Sequence, residues 1–108
     1  MWIKVYQKRD GAEGQDLEVM SDYLVKYIPT HKIYGFEIDE TDDGIYHICL
    51  DLGNKEAIVT ETDTYGRVLE QTIPPIEYFY DQDSTEVGII KKANAFAELL
   101  NKNKAGGY

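Results

Sequence analysis

Asp39, Thr41 and Asp43 stand two apart and are followed at once by Gly44. This is the first half of an EF-hand loop, which wants oxygen ligands at positions one, three and five and glycine at six. Position twelve of such a loop is a bidentate Glu, and here it is Leu50. The segments on either side alternate like strands, whereas the motif needs helices. A dedicated calcium site is therefore not expected.

The soft metal ligands are His31, His47 and Cys49. His47 and Cys49 lie two apart, so a strand points both to one side. They make one ligand pair, and His31 would have to fold in as a third. The expected role of Cys49 is that of a small, half-buried hydrophobe. A cysteine in mid-strand also lacks the helix N-terminus or loop setting that activates a thiolate. No GxSxG elbow occurs, and "GAEGQD" lacks the Lys and Ser/Thr of a phosphate loop. With twenty acidic residues, two neighbouring carboxylates are no sign of a hydrolase. The expectation is a protein that is not an enzyme, with no cofactor and no metal.

Charge is more informative. The net charge is −9 over 108 residues, which disfavours direct binding to nucleic acid or an anionic membrane. Between Ile33 and Gly66, nine acidic residues face one base, Lys55. Lys4, Lys8 and Arg9 gather near the N-terminus. Lys91, Lys92, Lys102 and Lys104 gather towards the C-terminus. Crowded like charge costs stability through self-repulsion, and a basic partner would relieve it. Tyrosines interleave with these acids and suit cation–π contacts with Arg or Lys. A solvated acidic face that keeps the chain dispersed is the plainer alternative.

The elements follow from periodicity. "WIKVYQ" (2–7) reads as a strand and "KRDGAEGQ" as a loop. Residues 16–29 carry Leu17, Met20, Leu24 and Tyr27 at helical spacing, which predicts a helix capped by Asp16 and ended by Pro29. Residues 32–39 and 45–52 alternate as two strands, joined by a turn at Asp43-Gly44. With 57–62 and 67–73 they predict a four-stranded meander. Pro74-Pro75 stops it, and "IEYFY" (76–80) reads as a short edge strand or an extended crossing. Asp83 and Glu86 have capping-box spacing before a final helix with Ile89, Ala93, Phe96 and Leu100 in a stripe. "AGGY" is expected to fray. The fold class is α+β: one domain over 1–108, with a single antiparallel sheet of about five strands packed against one or two helices. One cysteine, no signal-like h-region and no long apolar run predict a cytoplasmic protein without disulfides or membrane spans.

Residues 33–102 resemble the SUKH superfamily of bacterial immunity proteins. The likeness rests on "GIYHICLDLG" (44–53), similar to that family's glycine-led strand with its "LDL" step, on the strand and turn "AIVTETDTYG", and on "IIKKANAFAELLNK" (89–102), similar to its closing helix. The front of the chain departs from the family, whose N-terminus is helical. The resemblance implies an α+β fold and a role in neutralising a toxin, often a nuclease.

The reading is a small acidic protein inhibitor of the immunity or antitoxin type. Its carboxylates would stand in for phosphates on a basic nuclease or nucleoprotein complex. Asp39, Glu40, Asp42 and Asp43 at the hairpin turn, Asp81 and Asp83 at the helix entry, and Tyr46 and Tyr80 are the candidate contact residues. A phage anti-CRISPR or anti-defence inhibitor would need the same surface. A self-associating structural subunit or homodimer, joined through edges at 2–7 and 76–80, is the alternative of another class.

Overall fold

A computed structural model describes the backbone of residues 1–106 and the side chains of residues 1–102. Seven strands and one long helix follow in chain order. They are β1 (Trp2–Lys8), β2 (Tyr23–Pro29), β3 (Gly35–Glu40), β4 (Tyr46–Asp51), β5 (Ala57–Thr62), β6 (Val68–Ile73), β7 (Tyr78–Asp83) and α1 (Glu86–Gly106). A 3-10 turn, Thr30–Lys32, links β2 to β3. The main sheet is antiparallel with the order β2-β1-β7-β4-β3, while β5 and β6 form a separate two-stranded ribbon. The α+β class and the single main sheet packed on a helix are as expected.

The predicted helix over 16–29 is instead a turn followed by β2. Asp16 accepts the N–H of Glu18 through its side chain, and Val19 N–H bonds to Asp16 O, so residues 16–22 coil tightly without becoming a helix. From Tyr23 the chain pairs with β1 along its whole length, from Lys8↔Tyr23 to Trp2↔Pro29. The side chains confirm the change of period. Leu17, Tyr23 and Ile28 are buried, whereas Met20, Leu24 and Tyr27 are exposed. Tyr, Val and Ile in "YLVKYIP" fit a pleated surface better than a helix, and β1 supplies the ladder partner.

The predicted meander also breaks. β3 pairs with β4 and β5 with β6, but the strand beside β4 is β7. The segment predicted as an edge is thus central, bonded to β1 on one side and β4 on the other. Burial explains the exchange. β7 sinks Tyr78 and Phe79 into two different cores, whereas β5 offers alternating threonines. Gly53, at φ 76°, turns the chain away from the sheet after β4. The free edges of the main sheet are therefore β2 and β3, not 2–7 and 76–80.

Two cores result. On one face α1 lays Ile89, Ala93 and Phe96 over Ile3, Val5, Ile28, Ile48 and Tyr78. Phe96 stacks on Tyr80 with ring centroids 3.9 Å apart and touches Phe36 at 5.0 Å. On the other face loop 9–22 folds back over Tyr6, Tyr23 and Phe79 and plugs them with Leu17. The predicted apolar stripe of the helix is the one observed. Its cap is not the expected Asp83–Glu86 box. Thr85 is the N-cap, its Oγ accepting the N–H of Gly88 at 3.0 Å. Asp83 acts one step earlier, accepting from the N–H and hydroxyl of Thr85 at 2.9 Å each. Gly107, Tyr108 and the side chain of Lys104 lie outside the described residues.

Phe96→Ala removes the ring shared by Tyr80 and Phe36, and should cost roughly 3–5 kcal/mol. Thr85→Ala should cost roughly 1 kcal/mol. Urea unfolding followed by circular dichroism measures both.

Candidate functional site

The register sets which acids meet. Glu40 lies opposite Tyr46 and Tyr46 opposite Asp83, so β3, β4 and β7 bring these residues side by side. The β3–β4 turn and the entry to α1 therefore share one end of the sheet. The turn is held by Thr41, whose N–H bonds to Ile45 O at 2.8 Å and whose Oγ accepts the N–H of Ile45 at 3.1 Å. Gly44 adopts φ 80°, a conformation open to glycine at little cost. The same hydroxyl that an EF-hand would need is thus spent on the turn, and Leu50 packs against the apolar core. Among the described residues no group of three or more His, Cys, Asp or Glu is placed to hold a metal ion.

The eight candidate residues divide in two. Asp39, Glu40, Asp42 and Asp43 are exposed on the edge strand and turn. Among the described residues none of these four has a lysine or arginine nitrogen within 4.0 Å. The other four are committed inward. Tyr80 is half-buried beneath Phe96. Tyr46 packs against the helix-side core, and burial first, then the carboxylates Glu40 and Glu86, push its phenol pKa up. Asp81 and Asp83 flank Lys92, whose ammonium lies 3.6 and 3.2 Å away and also donates to Gln82 O at 2.6 Å.

The local strand signals did not reveal the cleft behind the edge. Alternation puts Glu37 on the same face as Asp39, beside Cys49 and His47 on β4. Asp39 and Glu77 line both of two adjoining cavities there, of about 440 and 220 Å³. Glu13 joins the larger one from loop 9–22, and Glu37 and Asp51 join the smaller. Lys8 reaches Glu77 at 3.3 Å. Glu37 was readable from the strand period. Glu13 comes from a distant segment and left no local trace.

His47 and Cys49 have structural partners. His47 is 4% exposed and donates from Nε2 to Gln15 O at 2.6 Å, tying loop 9–22 to β4. The Cys49 thiol donates to Asp39 Oδ2 at 3.4 Å. Burial, then the charge and hydrogen bond of Asp39, with Glu37 and Glu77 adding, push its pKa far above the usual thiol range. A thiol held protonated is a poor nucleophile and ligand. Native Cys49 should therefore react with iodoacetamide at pH 8 at least about tenfold more slowly than the urea-unfolded chain. Mass spectrometry of timed samples follows the adduct, and equal rates would contradict the protonated, shielded thiol.

The helix entry makes a pH prediction. Hydrogen bonds from Thr85, first the N–H and then the hydroxyl, and the nearby Lys92 hold the Asp83 pKa below the usual carboxylate range. An acid whose folded pKa lies below its unfolded value adds stability at neutral pH and loses it as pH falls towards the folded value. Asp83→Asn should therefore lower stability at pH 7 and flatten the loss of stability below pH ~4. Urea midpoints measured from pH 7 down to pH 2 test this.

Compared with known proteins, the chain matches no family model, no curated protein and no solved structure.

Proposed function

We propose that this protein is a small acidic inhibitor that occupies the nucleic-acid-binding face of a basic nuclease or nucleoprotein complex. The observation that supports this reading is the contrast between two sets of acids at one end of the sheet. Asp81 and Asp83 share the ammonium of Lys92 within the fold. Asp39, Glu40, Asp42 and Asp43, a short distance away across β4 and β3, are left exposed and, among the described residues, without a lysine or arginine partner. A fold able to pair one set with a helix lysine leaves the other to solvent or to a partner. Rigid carboxylates on a hairpin turn offer the spacing and charge that Arg and Lys otherwise find on phosphates.

The contact set under this reading is narrower than the sequence alone suggests. It consists of Asp39, Glu40, Asp42 and Asp43 with Glu37 beside them. Tyr46 and Tyr80 serve the core, and Asp81 and Asp83 hold the start of the helix. The resemblance of residues 33–102 to SUKH immunity proteins points to the same kind of role, with a toxin nuclease as target. An anti-CRISPR target would present the same basic chemistry.

Affinity capture of the tagged protein from its native lysate, with a salt-step elution, identifies the partner. Against that partner, Asp42→Lys with Asp43→Lys should slow association by about tenfold or more and flatten its salt dependence, with a smaller change in dissociation. Stopped-flow or surface-binding kinetics at several salt concentrations read this. Association that ignores both the charge reversal and the salt would sink the reading.

A further inference from the structure

The β5–β6 ribbon is an arm without a body. Its strands pair only with each other, and among the described residues no substantial packing joins them to the main sheet or the helix. The chain's radius of gyration is 17.0 Å, against about 13 Å for a compact chain of this length. Ile58, Val68, Leu69 and Ile73 are 70, 64, 53 and 45% exposed. A two-stranded ribbon is at best marginal in water when alone, and it gains stability from a further strand or an apolar surface. Charge on the arm is also one-sided. Arg67 is held by Asp63 at 2.8 Å, so among the described residues Glu61 and Glu70, on opposite faces of the ribbon, are left without an ion-pair partner and the arm is net negative.

The main sheet offers two free edges, and they differ in sign. β3 carries Glu37, Asp39 and Glu40, which would repel the arm. β2 carries exposed Lys26, whose ammonium lies 5.7 Å from the Tyr78 ring, with exposed Leu24 and Tyr27, and Lys4, 5.3 Å from the Tyr6 ring, lies opposite Tyr27 on the next strand. Acid and apolar groups on the arm thus match base and apolar groups on β2. We propose that the arm of one copy adds to the β2 edge of a second copy, and that two such contacts close a symmetric dimer. A reciprocal exchange satisfies both arms and both β2 edges at once. It leaves the acidic β3–β4 turn free, so it stands apart from the inhibitor reading.

Sedimentation equilibrium of the intact chain tests it. The expected result is a reversible species of twice 12.4 kDa. Its dissociation constant should rise at least about tenfold in Lys26→Glu and in the double variant Glu61→Lys with Glu70→Lys. Combining all three substitutions should recover most of the loss, which a variant that merely misfolds would not do. Amide exchange over 57–62 and 68–73 should slow as protein concentration rises. A chain that stays monomeric at hundreds of micromolar overturns the proposal, as does a dimer indifferent to these substitutions. Arm amides that gain protection only when a basic protein is added would also overturn it, and would assign the arm to that partner.

Discussion

The fold depends on the pairing of β7 with its two neighbours. β1–β2 and β3–β4 are each local antiparallel pairs, and no hydrogen-bond ladder joins one to the other directly. β7 bonds to β1 at Tyr6↔Phe79 and Gln7↔Tyr78, and to β4 from Leu50↔Tyr78 to Tyr46↔Asp83. That strand closes late, after an excursion through the arm, so the sheet is completed by a long-range contact. Such contacts repay their loop-closure entropy only through the surface they bury. Tyr78, Phe79 and Tyr80 supply it, Tyr78 and Tyr80 towards α1 and Phe79 towards loop 9–22.

An irregularity in β7 lets one strand serve both faces. β7 advances from Phe79 to Gln82 while β4 moves only from Cys49 to His47, so β7 carries an extra residue. The shift returns Gln82 to the face of His47. There Gln82 accepts the N–H of Leu17 at 3.0 Å and donates to Asp16 Oδ1 at 2.9 Å. With His47 bonded to Gln15 O and Tyr23 OH donating to Gly14 O at 2.7 Å, these four side-chain bonds tie loop 9–22 to the sheet. A polar loop thereby covers an apolar face, its backbone groups satisfied by side chains where no ladder reaches them. Leu17 is the plug, and these bonds fix where it sits.

What was legible in the sequence follows from this division. Alternation marked β1, β3, β4, β5 and β6, the 3.6 period marked α1, and Asp43-Gly44 marked its turn, because each is a local pattern. The fate of 16–29 was hidden. Leu17 and Tyr23 are buried by a loop and a strand, yet with Leu24 and Tyr27 the apolar spacing imitates one helical face. β7 was misread for a related reason. An acidic segment after two prolines looks like an edge, but Lys92 on the helix pairs with its acids and Asp16 on the loop accepts from its Gln82. Partners so far away in the chain leave no mark near the strand. The acidic turn was located by composition, but the sorting of its acids into paired and unpaired sets needed the register.

That sorting bears on why so acidic a chain folds at all. Self-repulsion is least costly where carboxylates stand in water and greatest where they approach the core. The half-buried pair Asp81 and Asp83 is the pair given a lysine, and half-buried Asp63 at the arm's tip is given Arg67. Edge and turn acids keep full hydration and need no internal cation. The same arrangement guards β3 against unwanted strand addition, since a charged edge repels a like one. β2 instead carries a single charge, Lys26, between exposed Leu24 and Tyr27. The asymmetry of the two edges is thus a property of the sheet itself: β3 is lined by carboxylates, while β2 carries a lysine among exposed apolar side chains.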